Sequence, residues 1–379
     1  MAWPAGNPPW SINPTPTATS SSAPEPFEPR MPEEVSTSPH EERERYGWWE
    51  NTITPHTDVH AAWSSALSRS VDVDEDTGAP STLGFIRVDH LERSLLATSA
   101  SMAQLPLRTN PRGWELTAHP SLESRRTAGF LREATDVAEE LVAGHAQRML
   151  LHVLGPWSFG VSVEYAGHPL LRDKPAFRDC ALSLGDGVRE FAGQLRASLG
   201  VDVSIVLHEP RVSEVLAGVR GATDFEHLPP VDREHVRGVW QRFLRQVDLP
   251  VILDCEGELP QQLGEGIEGF ERVVIPASQA RTTAGKDFVG DLLARGVRIG
   301  WVPGGRELGV GGKSGASAVE QQAAAIATDV VRQWDQWTLE PEMLPHALDL
   351  VVPEGVRSVA EASTQAAIIR SAAALIWHN

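Results

Sequence analysis

Two carboxylates follow a short apolar run near the middle of the chain. Val251, Ile252 and Leu253 are typical of a buried strand, and Asp254 and Glu256 come where such a strand would emerge into solvent. Carboxylates at this spacing can act as general acids and bases, or can bind a hard cation such as Mg²⁺ or Mn²⁺. They can equally be solvated loop acids in an acidic protein.

His208 and Glu209 form a second polar pair, at the end of the run "VDVSIVL". A histidine beside a glutamate can act as a base and its orienting partner in proton transfer. The alternatives are a buried histidine hydrogen-bonded to a neighbour, and a strand end at Glu209–Pro210 held by hydrogen bonds. We predict that His208 and Glu209 are catalytic.

A third candidate is the glycine-rich stretch "VPGGRELGVGGKSGAS", which follows a predicted strand and precedes a predicted helix. It departs from a phosphate-binding loop because Glu307, not glycine, stands six positions before Lys313. Backbone N–H groups and a helix N-terminus can still bind an anion, so the predicted anion-binding residues are Gly304, Gly305, Lys313 and Ser314. The alternative is a loose connection.

The elements that position these residues alternate along the chain. Apolar residues three or four apart, such as Phe177, Leu184 and Val188, predict helices between runs that predict strands. The runs end in Pro, Gly or an acid. No G-x-G-x-x-G motif follows the first strand, which weakens a dinucleotide-binding interpretation. Six clear strands are predicted at 148–156, 201–210, 249–255, 271–278, 296–304 and 347–355, and two weaker ones at 50–55 and 82–88.

Eight strands alternating with helices predict an α/β fold, the (β/α)₈ barrel. In such barrels the chemistry lies at the carboxyl ends of the strands, where His208, Asp254 and Glu354 fall. Residues 1–46 differ from the rest because they are rich in Pro, Ser, Thr and Glu and have no apolar periodicity. We therefore expect a disordered tail at 1–46, with a protein partner that the sequence does not identify, and a barrel at 47–379.

Charge and cysteine content exclude several function classes. Lys and Arg total 33 against 51 Asp and Glu, a net charge of −18, which disfavours nucleic acid and anionic membrane as partners. Two cysteines without C-x-x-C spacing exclude a disulfide framework and a thiolate zinc finger. The sequence shows neither an apolar run long enough to span a bilayer nor a secretory signal. We expect a cytoplasmic protein with a small-molecule substrate.

Several strand ends resemble those of a known family. "LHVLGPWSF", "IVLHEPRVSEVLAG", "VILDCEG" and "VVPEG" resemble, in order and spacing, the strand ends of the cobalamin-independent methionine synthase family. "LPLRTNPRGWELT" and "GPWSFGVSVEY" resemble its shorter actinobacterial members. The resemblance covers roughly residues 80 to 360 and is strongest at Gly155–Pro156, Glu209–Pro210 and Gly355.

The resemblance implies a (β/α)₈ barrel of the methionine synthase and uroporphyrinogen decarboxylase type. Family members transfer a methyl group from a folate to the thiol of homocysteine, so folate is an implied cofactor. Gly155 and Pro156 would then contact the substrate.

The family's catalytic zinc is bound by a His-x-Cys, a Glu at the next strand end and a Cys before a glycine. Here these positions hold Asp254, Glu256, Pro276 and Glu354, and the family's Asp-Glu-Pro acid corresponds to His208. Cys255 lies between two of the positions, and strand alternation predicts that its side chain points away from the mouth. Zinc is therefore not expected, and Asp254, Glu256 and Glu354 are predicted to bind substrate, with Mg²⁺ or Mn²⁺ as an alternative.

Three hypotheses for function remain. The first is methyl or one-carbon transfer to a small thiol by a diverged member of the family that lacks its zinc site. The second is a metal-free or Mg²⁺-dependent lyase or decarboxylase on the same barrel. The third is a non-catalytic descendant that binds a small ligand or a protein.

Overall fold

The computed structural model describes most of the chain after residue 46. The predicted tail at 1–46, and with it Gly305, Lys313 and Ser314 of the predicted anion site, lies outside the described residues. No helix in the described part of the chain is long and apolar enough to cross a membrane. The described ranges are 47–70, 82–88, 90–220, 227–257, 263, 267–304, 316–355 and 358–377.

The strands fall into one large sheet and one small one. The large sheet contains β1, β2, β5 and β8 to β12, and the small sheet contains β3, β4, β6 and β7. In chain order the strands are β1 (Trp48–Glu50), β2 (Thr82–Gly84), β3 (Leu107–Asn110), β4 (Gly113–Leu116), β5 (Arg148–Leu154), β6 (Val163–Tyr165), β7 (His168–Pro169), β8 (Asp202–His208), β9 (Val251–Asp254), β10 (Arg272–Pro276), β11 (Arg298–Val302) and β12 (Leu348–Val352).

The large sheet is a nearly closed barrel. Its strands pair in parallel in chain order, from β2 through β5 and β8 to β12, and β12 then pairs with β1. A parallel bridge between Thr54 and Val88, with Thr54 N–H 2.7 Å from the carbonyl of Arg87, joins the two remaining edges. The predicted (β/α)₈ architecture is confirmed, and seven of the eight predicted strands are present. The eighth, predicted at 50–55, lies earlier in the chain as β1 and shares only Glu50 with the predicted range.

Strand alternation gives the barrel an apolar interior beneath its mouth. Trp49 occupies this interior, and Gly300 leaves room beside it, since a Cβ on Gly300 would lie 3.2 Å from Val351 and 3.6 Å from the Trp49 ring. Successive residues of a strand face opposite sides of the sheet. The residue two positions after each interior residue therefore faces the interior again, nearer the mouth. The interior cluster consists of Trp49, Leu150, Val206, Ile252, Val274 and Val351.

Helices pack against the outside of the barrel, where their apolar faces bury the outward side chains of the strands. Caps set their ends: Asp173 accepts a hydrogen bond from Ala176 N–H at the start of α5, and Gly200 ends it with a left-handed φ of 71°. The helices are α1 (Val59–Ser70), α2 (Leu95–Met102), α3 (Leu122–Leu141), α4 (Pro156–Ser162), α5 (Lys174–Leu199), α6 (Val212–Ala217), α7 (Arg233–Val247), α8 (Ala277–Ala280), α9 (Thr283–Ala294), α10 (Ala316–Gln336), α11 (Leu344–Ala347) and α12 (Val359–Trp377).

The small sheet is an insertion that strand and helix alternation did not predict. It pairs β3 with β4 and β6 with β7 in antiparallel fashion, and β4 with β6 in parallel. Its strands are only two to four residues long, too short to give a clear period-two pattern.

Candidate functional site

Inward-facing polar residues of neighbouring strands meet at the barrel mouth. In the register of the sheet, Leu154 pairs with His208 and His208 pairs with Asp254, so these strands end at one level. His152 stands two residues after the inward-facing Leu150, and Asn51 stands two residues after the inward-facing Trp49. This layer of the barrel is polar, and the layer beneath it is apolar.

A continuous hydrogen-bonded chain runs through two imidazoles to a carboxylate. Nδ1 of His152 lies 2.9 Å from Nε2 of His208, and Nδ1 of His208 lies 2.9 Å from Oε1 of Glu256. Both rings are buried. Burial, and then the charge of Arg87, lowers the pKa of each imidazole well below its usual value. Both rings are therefore neutral near pH 7, and each has one nitrogen that can donate a hydrogen bond and one that can accept one.

Asp254 lies beneath Glu256 and holds its backbone. Oδ1 of Asp254 accepts the Glu256 N–H at 2.7 Å, while Oδ2 accepts the side-chain N–H of Asn51 at 2.5 Å. Burial raises the pKa of Asp254 to about 6 and also raises the pKa of Glu256. Glu256 has a left-handed φ of 52°, a strained conformation for a residue with a side chain. Strain of this kind clusters at functional sites.

Arg87 connects the remaining acid to the same network. One of its terminal nitrogens donates to Oδ1 of Asn51 at 2.9 Å, and the other donates to Oε1 of Glu354 at 2.8 Å. The Arg87 side chain is 8% exposed, whereas those of Glu354 and Glu256 are 30% and 26% exposed. The two glutamates are thus the acids of the network that a molecule at the mouth can touch first.

A small cavity lies beside this network, between the segment after β2 and the helix α2. It has a volume of about 20 Å³ and is lined by Arg87, Thr98 and His152 among others. This volume suits a single water molecule. The Nε of Arg87 is buried and has no hydrogen-bond partner among the described residues, so it is available to such a water.

Glu209 differs from these residues because its carboxylate is fully occupied by protein donors. It is buried and accepts hydrogen bonds from the N–H groups of Trp157 at 3.2 Å and Ser158 at 2.7 Å, from the Ser158 hydroxyl at 2.8 Å and from Nε1 of Trp240 at 3.0 Å. The backbone N–H groups of Trp157 and Ser158 belong to the first turn of α4, and the N-terminal end of a helix stabilises a negative charge. This geometry favours the structural alternative for Glu209, a strand end held by hydrogen bonds.

Gly155 and Pro156 shape the contact between Glu209 and the start of α4. A Cβ on Gly155 would lie 2.3 Å from the Glu209 carboxyl group, so only glycine fits. Pro156 is the first residue of α4, a position where its missing N–H has no helical partner to lose. Their proposed contact with substrate stays a prediction.

The predicted mouth residues come together, and three unpredicted residues connect them. His208, Asp254 and Glu256 share direct contacts, and Glu354 joins them through Arg87 and Asn51. Gly304 is half-buried just beyond the end of β11. Strand alternation would have found His152, because it stands two residues after Leu150 on the same strand. Nothing local identifies Asn51 or Arg87, because their partners lie far away in sequence.

The donor set does not fit the zinc site that the resemblance implies. Pro276 ends β10 and offers no side-chain ligand, while Asp254 and Glu354 already accept hydrogen bonds. Cys255 is buried in the apolar cluster outside the barrel strands. Within the described ranges, no group of three or more His, Cys, Asp or Glu side chains is arranged to hold a metal ion.

No protein-family model matches the chain, and no curated protein matches it. Among solved structures, the chain is similar to a methyltransferase from Methanosarcina mazei, with 12% sequence identity and a TM-score of 0.48. The similarity covers 83% of this chain and 86% of that one. Membership of the methionine synthase family therefore stays a prediction.

Proposed function

We propose that the protein is an enzyme that uses Glu256 as a general acid–base on a small molecule bound at the barrel mouth. The observation that carries this proposal is the hydrogen-bonded chain from Glu256 through His208 to His152. It ends at the carboxyl edge of the barrel strands, where barrels of this kind have their active sites.

The chain lets Glu256 change its protonation state without charging a buried ring. When Glu256 is ionised, it accepts the Nδ1 proton of His208, whose Nε2 then accepts the Nδ1 proton of His152. When Glu256 is protonated, it donates to Nδ1 of His208, and each ring adopts the other neutral tautomer. Burial raises the pKa of Glu256 above its usual value, which makes its protonated form a better match to the role of a general acid.

The charges at the mouth favour a substrate that carries a hydrogen-bond donor or a positive charge. Glu256 and Glu354 are the partly exposed acids, and the terminal nitrogens of Arg87 are already bonded to Glu354 and Asn51. A small amine or amino acid matches this pattern better than a simple anion. Abstraction of a carbon-bound proton from such a molecule corresponds to the lyase hypothesis, and donation of a proton to the carbon that has lost CO₂ corresponds to the decarboxylase hypothesis.

Methyl or one-carbon transfer to a small thiol is the second candidate. Its support is the resemblance of the strand ends, notably Gly155–Pro156 and Glu209–Pro210, which meet at one edge of adjacent strands in this fold. Glu256 would then accept the thiol proton, the thiolate sulfur would form a bond to the methyl carbon of a methyl-folate as the nitrogen–methyl bond breaks, and the departing nitrogen would take up that proton. The thiolate would form without the zinc that the family uses.

Isotope exchange separates the candidates. The purified protein is incubated in D₂O with a panel of small amines and amino acids, and exchange of carbon-bound protons is followed by ¹H NMR. A parallel series with small thiols and methyl-folate is analysed by mass spectrometry for methylated thiol. Exchange supports the first candidate, and methylated thiol supports the second.

A matched pair of variants assigns the base. Glu256→Gln should reduce turnover by roughly 10²- to 10⁴-fold, the usual contribution of a general base. Glu190→Gln, at an exposed position on α5, should leave turnover unchanged. A protein that shifts its melting temperature with a panel ligand but turns none over would refute catalysis and support the non-catalytic hypothesis.

A further inference from the structure

A second cavity lies outside the barrel, between α5 and α7. It has a volume of about 980 Å³ and continues along the segment 227–232 before α7. Such a volume is at the upper end of the range for small-molecule sites. Its apolar walls include Trp157, Leu171, Phe177, Leu182, Val239 and Phe243.

The rim of this groove is basic although the chain carries a net charge of −18. Arg172, Lys174, Arg178 and Arg242 line it. In the described part of the chain, Asp232 is the one carboxylate among the lining residues, and its Oδ1 accepts the Glu234 N–H at 2.8 Å as the cap of α7. The described lining residues therefore carry an excess of positive charge.

Most of these cations form no ion pair with the residues that the structure describes. Arg178 lies 3.0 Å from Asp179, but Arg172, Lys174 and Arg242 form no ion pair within the described ranges. Nδ1 of His168, a further lining residue, is buried and has no partner among those same residues. Apolar walls with a surplus of cations among the described lining residues, together with a buried polar atom, are complementary to an amphipathic anion.

We propose that this groove is a binding site for a small amphipathic carboxylate. Its apolar body would contact Phe177, Val239 and Phe243, and its carboxylate would pair with Arg172 or Arg242 at the rim. The site is separate from the barrel mouth and does not depend on the function proposed for Glu256.

Two fluorescent probes of similar size test the proposal on the full chain. Anilinonaphthalene sulfonate is an amphipathic anion, and the dimethylaminonaphthalene ketone prodan is a neutral analogue. Arg242→Ala should weaken binding of the anionic probe by about fivefold and leave prodan binding unchanged, since one exposed ion pair contributes on the order of 1 kcal/mol. Arg132→Ala, at an exposed arginine of α3, is the matched control and should change neither.

A second variant tests the location independently of charge. Ala181→Trp fills the groove from α5 and should weaken both probes, while the thermal transition reports that the fold is intact. Laurate and 2-naphthoate are then used as competitors, and displacement of the anionic probe by either supports a carboxylate ligand. The proposal is overturned if Arg242→Ala and Ala181→Trp both bind the anionic probe as the native chain does, or if neither carboxylate competes.

Discussion

Nδ1 of His152 lies 2.9 Å from Nε2 of His208 inside the barrel mouth. At this separation one nitrogen must carry a proton and the other must offer a lone pair. A proton added to either ring must be accommodated in a buried site, close to the charge of Arg87, where burial already lowers both pKa values. The pair is therefore built to stay neutral.

This neutrality predicts a loss of stability in mild acid. Because the folded-state pKa of each histidine is depressed, the unfolded chain binds protons that the folded chain does not as pH falls below about 6.5. Each histidine should then lower the free energy of unfolding by up to about 1.4 kcal/mol per pH unit. In urea unfolding measured between pH 7 and pH 5, the free energy of unfolding should fall less for His152→Asn than for the native chain.

The exposed His119 provides the control for this measurement. His119→Asn should follow the native pH dependence, since its ring is exposed in the folded chain. If His152→Asn also loses stability as steeply as the native chain, the histidine pair does not stay neutral in the fold.

Asp254 should make the free energy of unfolding depend on pH in the opposite direction to the two histidines. Burial raises its pKa from 3.8 to about 6, so between these values the folded chain holds a proton that the unfolded chain has released. The free energy of unfolding should therefore fall as pH rises through this window, by roughly 3 kcal/mol.

Asp254→Asn removes this titration and isolates its contribution. Relative to the native chain, the variant should gain stability between pH 4 and pH 7, whatever its stability at pH 4. Asp136→Asn, at an exposed position on α3, should show no such gain. A difference between Asp254→Asn and native that stays constant with pH would argue against a buried, protonatable Asp254.

The contact between Gly155 and Glu209 predicts a large effect of a single methyl group. Gly155→Ala would place Cβ 2.3 Å from a carboxyl group that four donors hold in position. We expect a loss of about 3 kcal/mol or more in the free energy of unfolding. Gly129→Ala in α3 is the control, because a Cβ there meets nothing within 4 Å and alanine favours a helix.

A double-mutant cycle of Gly155 and Glu209 tests whether the clash between them causes this loss of stability. In a Glu209→Ala background, Gly155→Ala should cost far less, since the clashing carboxyl group is absent. Equal costs in the two backgrounds, measured by urea unfolding, would show that the steric conflict lies elsewhere.

The barrel could be predicted from sequence because its signals are local. Runs such as "RMLLHVL" and helices such as α5 carry their own periodicity, and their alternation limits the topology. The short strands of the small sheet, such as β6 and β7, carry no comparable signal.

The candidate site could be predicted only in part, for the same reason. His208 and Asp254 are recognisable because each ends a strand, and Glu256 because it comes two residues after one. The role of Asn51 depends on Asp254, which is 203 residues away in sequence, and that of Arg87 depends on Glu354, 267 residues away. Contacts at these separations leave no pattern within a single sequence.

The donor chemistry of the mouth predicts that zinc is not retained. Asp254, Glu256 and Glu354 stand where the resembling family has imidazole and thiolate ligands, and Pro276 stands at the fourth position. Zinc prefers sulfur and nitrogen ligands, and two of these carboxylates would have to break hydrogen bonds to Asn51 and Arg87 in order to bind it. Elemental analysis of protein purified without chelators and without a histidine tag should find far less than one zinc per chain after dialysis. Near-stoichiometric zinc would instead show that the correspondence of positions is misaligned, and zinc-dependent methyl transfer to a thiol would become the leading hypothesis.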